Sequence, residues 1–147
     1  MIMRIRKISG FTLVELTVVI AIFLVMIVAL TPFVRMARER ANVIKCADNL
    51  RRISLGLHLY AADHNDNFPA KLTELYPNYV DDEKVFDCPS TKTPDVPAET
   101  DYAYTAGLTE ASPAKDIIVQ DLDGNHGRAG KNVLKVDGSV AWKRVRR

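Results

Sequence analysis

Residues 10–34 read GFTLVELTVVIAIFLVMIVALTPFV, and this stretch decides how the chain is organised. Positions 16–34 are 19 residues without a charged side chain. As a helix they would extend about 28 Å, which is close to the thickness of a bilayer core. A secretory signal peptide has a shorter apolar core with small residues after it, whereas Gly10 precedes this run. The stretch therefore predicts a membrane-spanning helix.

The start of the apolar run resembles the type IV prepilin signal. Gly10 is followed by Phe11 and Glu15, and three basic residues lie upstream in positions 4–7. The resemblance implies that a prepilin peptidase cuts after Gly10 on the cytoplasmic side of the membrane. The same peptidase would methylate the new amino group of Phe11, and Glu15 would become the fifth residue of the mature chain.

This resemblance divides the chain into four segments. Residues 1–10 are the predicted leader peptide, and residues 11–34 are the hydrophobic transmembrane and filament-core helix. Residues 35–62 continue as the amphipathic second half of that helix, and residues 63–147 form a globular head. One head is expected, because a domain typically needs roughly 100 residues to bury a useful core.

Two residues of the apolar helix are candidates for a role in assembly. An ionised Glu15 within hydrocarbon is costly and calls for a cationic partner, and the resemblance supplies the amino group of Phe11 on a neighbouring subunit. The alternative is a surface carboxylate that snorkels to the interface. Pro32 removes a backbone hydrogen bond and predicts a kink or local unwinding, which in this superfamily accompanies assembly. A kink at the membrane end without such a role is the alternative.

Beyond residue 34 the apolar residues recur at steps of three and four, which predicts an amphipathic helix to about residue 62. A run of turn-forming residues closed by Pro69 ends it. The predicted stripe consists of Val43, Cys46, Ala47, Leu50, Ile53, Ser54, Leu57, Tyr60 and Ala61.

The sequence after this helix predicts a short helical turn at residues 72–76 and then a sheet. Alternating residues predict three or four strands, at residues 102–105, 117–120, 133–136 and 140–142. Asp137-Gly138 between the last two is a hairpin turn signal. These elements predict an α+β fold in which a long N-terminal helix packs on a small antiparallel β-sheet. The layout resembles the pilin-like fold of the major pseudopilin of type II secretion.

Cys46 and Cys88 are the only cysteines of the chain. In a periplasmic or extracellular head they are candidates for a disulfide. It would close a loop of about 43 residues and contribute on the order of 4 kcal/mol in the chain-entropy model. Two reduced, buried thiols are the alternative. Type IV pilins proper often carry a disulfide near the C-terminus, so the lack of a cysteine after Cys88 favours a pseudopilin.

Asp121, Asp123 and Asn125 alternate in an oxygen-rich loop, as the ligands of calcium-binding loops do. Calcium is therefore a candidate ligand, although no cofactor is expected to be required. The alternative is a solvated turn, because His126 stands where an EF-hand loop has glycine. We interpret all three histidines as helix-surface or turn residues. No nucleophile lies beside a base, which predicts that the chain is not an enzyme.

The charge balance bears on partners. Removal of residues 1–10 would leave 17 basic residues against 18 acidic ones. A nucleic-acid-binding face needs clustered Lys and Arg, so this balance argues against nucleic acid as a partner.

These features predict a structural subunit of a type II secretion pseudopilus or a related type IV pilus-like filament. The implied partners are copies of the same chain in a helical filament, a prepilin peptidase and an inner-membrane assembly platform. The implied location is the bacterial inner membrane, crossed once with the head in the periplasm, and then a periplasmic or extracellular filament. Basic residues after the span outnumber those before it, so this orientation depends on the cleavage motif rather than on the positive-inside rule. The alternative is a type IV pilin whose head binds a surface or takes up DNA.

Overall fold

The computed structural model describes residues 11–91, 100–127 and 130–144. In chain order its elements are the helix α1 (Leu13–Asp63), two 3₁₀ helices (Leu72–Leu75 and Glu83–Phe86) and the strands β1 (Tyr102–Tyr104), β2 (Ile117–Asp121), β3 (Lys131–Lys135) and β4 (Val140–Lys143). The chain divides into two compact units, Met1–Ala37 and Arg38–Arg147, and α1 contributes to both.

The part of α1 in the larger unit buries one face. The buried helix positions fall at steps of three and four, as the sequence predicted, and the sheet and the 3₁₀ helices cover them. They are Cys46, Asn49, Leu50, Ile53, Ser54, Gly56, Leu57 and Ala61. The predicted α+β arrangement is confirmed: a long N-terminal helix packs on a small antiparallel sheet.

The helix ends where turn-forming residues replace the apolar stripe. Asn65 and Asp66 have φ angles of 53° and 62°, in the left-handed region that Asn and Asp tolerate better than most residues. The backbone N–H of Asp66 donates to the carbonyl of Ala61 at 2.9 Å and so satisfies one of the last helical acceptors. The helix thus ends at Asp63, next to the boundary that the sequence predicted at about residue 62.

All four strands are antiparallel and lie in the order β1-β2-β3-β4. The register of β2 against β3 shifts between Ile117 and Val119, where β2 has a bulge or irregularity. Such a shift interrupts the alternation of faces, and the neighbouring residues Ile118 and Val119 are both buried. Two neighbouring residues of β2 thus both belong to the hydrophobic core.

Gly138 permits the turn between β3 and β4. The backbone N–H of Lys135 donates to the carbonyl of Ser139, and that of Gly138 donates to the carbonyl of Lys135, both at 3.0 Å. Gly138 has a φ of 78°, the left-handed value that closes a three-residue hairpin loop. The predicted hairpin is confirmed, and its loop spans residues 136–138.

We expect Gly138→Ala to lower the free energy of unfolding by roughly 1–3 kcal/mol. A side chain strains the left-handed backbone, and its Cβ would lie 3.1 Å from Ser54 Oγ and 3.3 Å from His58 Nε2. Gly107→Ala is the matched control, because Gly107 has a φ of 84° but no atom within 4 Å of the added Cβ. Denaturant titration of both variants measures the difference. Equal losses of unfolding free energy in the two variants would show that the contacts with Ser54 and His58 do not matter.

Candidate functional site

The N-terminus of α1 is closed by a reciprocal pair of side-chain hydrogen bonds. Glu15 Oε2 accepts from the backbone N–H of Thr12 at 2.9 Å and from its hydroxyl at 2.8 Å. The backbone N–H of Glu15 in turn donates to Thr12 Oγ1 at 3.3 Å. This is a capping box, which satisfies two helix donors that lack a partner within the helix. The sequence signal, Thr-x-x-Glu, was present but did not enter our predictions.

The capping box bears on the predicted processing site. Gly10 lies outside the described residues, and Phe11, the first described residue, is 73% exposed. Both partners of the capping box follow the predicted cut, so cleavage after Gly10 would leave the box in the mature chain. Cleavage and methylation at this position stay predictions.

The first half of α1 exposes an apolar surface on all sides. Every residue from 11 to 38 is exposed, and the helix is long and apolar enough to cross a membrane by length and composition. Apolar side chains exposed over so long a stretch mark a surface that lipid or another protein covers. The larger ones are Leu13, Val14, Leu16, Val18, Val19, Ile20, Ile22, Phe23, Leu24, Val25, Met26, Ile27, Val28, Leu30, Phe33 and Val34.

Pro32 lies inside α1, and the helix continues on both sides of it. The hydroxyl of Thr31 donates to the carbonyl of Ile27 at 2.9 Å, one turn earlier. Proline lacks the N–H that would bond the next carbonyl along, so this turn has fewer backbone hydrogen bonds than its neighbours. Local unwinding at Pro32 during assembly stays a prediction.

In the larger unit four chemically active side chains meet, and we call Cys46, Cys88, His126 and Asp121 the Cys-His cluster. Cys46 faces inward from α1, Cys88 follows the second 3₁₀ helix, Asp121 ends β2, and His126 lies in the loop after it. One ligand atom from each of Cys46, Cys88 and His126 lies within 4.8 Å of the others. All four residues are buried.

Specific contacts connect the members of the cluster. The Cys46 thiol donates to Asp121 Oδ1 at 2.9 Å, and Cys88 Sγ lies 3.6 Å from His126 Nε2. The same His126 nitrogen lies 3.3 Å from Asp121 Oδ2. A hydrogen bond between the two cysteines lowers the pKa of Cys88 to about 6, whereas that bond, burial and Asp121 raise the pKa of Cys46. Cys88 is therefore the more acidic of the two thiols.

A second layer of polar groups holds the cluster in place. His126 Nδ1 hydrogen-bonds to Glu39 Oε1 at 2.9 Å, and the hydroxyl of Ser90 donates to both oxygens of Glu39 at 3.0 and 3.1 Å. The backbone N–H of Asn132 donates to Asp121 Oδ2 at 2.7 Å. The carboxylate and the imidazole are therefore both oriented by partners outside the cluster.

The interpretation of His126 as a surface or turn histidine is wrong in one respect. His126 does lie in a turn, but its side chain is buried against Cys88 and Asp121. Burial follows because α1 and the segment at Cys88 close over the loop, and no local sequence pattern records that convergence. Spacing between histidines could not have revealed it, since the other members are cysteines and a carboxylate.

The three residues predicted to bind calcium have different partners. Asp121 belongs to the Cys-His cluster, whereas Asp123 is exposed and pairs with Lys131 Nζ at 2.8 Å. The side-chain amide of Asn125 donates to the carbonyl of Asp101 at 3.1 Å. Calcium binding by this loop stays a prediction.

Cys46 and Cys88 are free thiols in this structure, and their sulfur atoms lie within 4.8 Å of each other. The structure thus brings together the two residues predicted to form a disulfide. The neighbouring His126 and Asp121 supply further ligand atoms, so the same two thiols can also bind a metal ion. The disulfide stays a prediction.

Comparison with known proteins identifies the N-terminal segment. Residues 5–31 match the family model of the prokaryotic N-terminal methylation motif. No curated protein and no solved structure matches the chain. The match covers the residues around Gly10, Phe11 and Glu15 and most of the apolar run. The chain thus carries the prokaryotic N-terminal methylation motif, which is characteristic of type IV pilin-like proteins, a family of structural subunits rather than of enzymes.

Proposed function

We propose that this protein is a structural subunit of a type II secretion pseudopilus or a related type IV pilus-like filament. In this proposal a prepilin peptidase removes residues 1–10 and methylates the amino group of Phe11. The processed chains then assemble through their N-terminal helices. The chain itself performs no catalysis.

The structural observation behind assembly is the uncovered apolar half of α1. Transfer of a Leu, Ile, Phe or Met side chain from water to an apolar environment is favourable by roughly 1.5–3 kcal/mol. A helix with such side chains on every face needs an apolar environment all round it. Lipid supplies this before assembly, and the same helices of neighbouring subunits supply it in a filament. A plain membrane anchor would need the lipid alone, so the methylation motif is the reason to prefer a filament.

The proposed location follows from the same segment. The apolar half of α1 crosses the inner membrane once, with Gly10 on the cytoplasmic side, where the peptidase cuts. The larger unit then lies in the periplasm, where an assembly platform in the membrane passes the subunit to the filament. We favour a pseudopilus over a surface pilus because no cysteine follows Cys88.

Intact-mass measurement tests the processing. We expect the protein from membranes of cells with an active prepilin peptidase to lack residues 1–10 and to carry one methyl group on Phe11. A catalytically inactive peptidase should leave the full chain, and Gly10→Val should do so even with the active enzyme, because a branched side chain stands at the cut. An uncut, unmethylated wild-type chain beside the active peptidase would overturn the proposal.

Filament location separates the two kinds of filament. After shearing of cells, a pseudopilus subunit should remain with the periplasm and inner membrane, whereas a surface pilin should appear in the sheared fraction. A dominant sheared fraction at native expression would contradict the pseudopilus and favour the type IV pilin alternative.

A further inference from the structure

His126 places one ring nitrogen among the other members of the Cys-His cluster. Its Nδ1 hydrogen-bonds to the carboxylate of Glu39 at 2.9 Å, so Nε2 is the nitrogen that faces the cluster. His126 Nε2 lies 3.6 Å from Cys88 Sγ and 3.3 Å from Asp121 Oδ2. A sulfur, a nitrogen and a carboxylate oxygen thus meet in a buried site, and these are the ligand atoms that zinc takes in proteins.

Two of the distances between these atoms match the spacing of ligands around a tetrahedral zinc ion. Bonds of about 2.3 Å to sulfur and about 2.0 Å to nitrogen or oxygen place tetrahedral ligand atoms about 3.3–3.8 Å apart. The Cys88–His126 and His126–Asp121 distances of 3.6 and 3.3 Å lie in this range. Cys46 Sγ is nearer to Asp121 Oδ1, at 2.9 Å, because its thiol proton lies between them. Metal binding releases that proton.

The surroundings of His126 are those of a metal-binding histidine. Such a residue donates its other ring N–H to a carboxylate or carbonyl, which fixes the tautomer and the direction of the ring. Glu39 accepts this hydrogen bond from His126 Nδ1 at 2.9 Å, and the hydroxyl of Ser90 donates to Glu39 in turn. The orientation of His126 Nε2 toward Cys88 Sγ and Asp121 Oδ2 is therefore set before any ion arrives.

We propose that Cys46, Cys88, His126 and Asp121 bind one zinc ion with a structural role. Two thiolates, one imidazole and one carboxylate form a closed set of four, which suits zinc; copper(I) prefers sulfur to carboxylate oxygen. The ion joins α1 to the segment at Cys88 and to the loop after β2, three parts of the chain that are distant in sequence. This inference goes beyond the proposed function and does not depend on it.

A disulfide between Cys46 and Cys88 is the competing state of the same atoms. Reactive thiols are exposed, whereas both sulfurs here lie in the interior. A zinc ion bound on export or during folding would occupy both thiolates and leave none to attack an oxidant. A bound zinc ion and the disulfide exclude each other, so a single purified sample shows which of the two is present.

The first measurement uses the full chain in detergent, purified without a metal-binding tag or chelator. We expect about one zinc per chain by elemental analysis, and we expect cobalt(II) to replace it with the sulfur-to-cobalt absorption of a tetrahedral thiolate site. A chain from its native compartment that is lighter by two hydrogens, with Cys46 bonded to Cys88, would overturn the proposal. So would a reduced chain without zinc that takes up no cobalt. Neither outcome depends on a variant that folds.

Variants then assign the ligands. Cys88→Ser and His126→Gln should each lose the zinc, and Glu39→Gln should weaken zinc affinity about 10–100-fold, as removal of an orienting partner does. The control is His58→Gln, since His58 lies on α1, as Glu39 does, but pairs with Glu110 outside the cluster. It should keep one zinc per chain. Zinc retained by Cys88→Ser, or lost equally from the control, would mark an adventitious ion and contradict the site.

Discussion

Replacement of Leu50 by Ala should lower the free energy of unfolding of the larger unit by about 2–5 kcal/mol. Leu50 lies on the inward face of α1 and is 0% exposed, among the buried side chains between the helix and the sheet. The truncation removes apolar contacts and leaves a cavity that a packed core fills only in part. For a domain of this size the midpoint of thermal unfolding should fall by roughly 10 °C or more.

Leu55→Ala is the matched control for this prediction. Leu55 lies on the same helix within five residues of Leu50 but is 63% exposed, so its truncation should change stability by at most about 0.5 kcal/mol. Fluorescence of Trp142, the one tryptophan, reports unfolding from β4 and is insensitive to helix that persists in detergent. Equal losses from the two variants would contradict the assignment of the inward face.

The helix and the strands could be predicted because each has a local signal. The stripe through Leu50 and Leu57 repeats with the period of a helix, and Asp137-Gly138 supplies the residues that a tight hairpin requires. The predicted strands and the observed ones agree to within about two residues, the usual uncertainty at the ends of elements. These features depend on neighbours in sequence, which the sequence displays directly.

The Cys-His cluster could be predicted only in part, because it depends on tertiary contacts. Cys46 and Cys88 were paired by elimination of any other cysteine, but the proximity of His126 to them requires the loop after β2 to fold under α1. Asp121 looked like a member of an acidic surface loop, yet it ends a strand and points into the interior. No sequence pattern indicated that Glu39 orients His126, since one carboxylate on a helix rarely contacts a histidine so distant in sequence.

The two features of this chain act on different scales. In our proposal the apolar half of α1 determines where the protein lies and what it assembles with, whereas a zinc ion in the Cys-His cluster would help to keep the larger unit folded. A zinc ion there would join α1 to the segment at Cys88 and to the loop after β2. The zinc site would thus stabilise the larger unit where a core of this small size is limited.

Glu15→Gln should prevent filament assembly while the capping box survives. Glutamine keeps a side-chain oxygen that can accept from the backbone N–H of Thr12, so the helix start remains satisfied. It lacks the charge that, in our proposal, pairs with the methylated amino group of Phe11 on a neighbouring subunit. Because a carboxylate in an apolar environment depends on such a partner, loss of the charge removes the attraction that draws an incoming chain into register.

Thr12→Ala distinguishes the effect of the Glu15 charge from the effect of the helix cap. It removes the hydroxyl that bonds both ways with Glu15 and costs about 1 kcal/mol of helix stability, but it keeps the carboxylate. We expect filaments of this variant to form in reduced amount, measured by electron microscopy and by the yield of assembled subunit. Intact mass must first show that both variants are cut and methylated, so that failure to assemble is not failure to be processed. If Glu15→Gln assembles like the wild type and Thr12→Ala does not, Glu15 acts through the helix cap and the proposed charge pair is wrong.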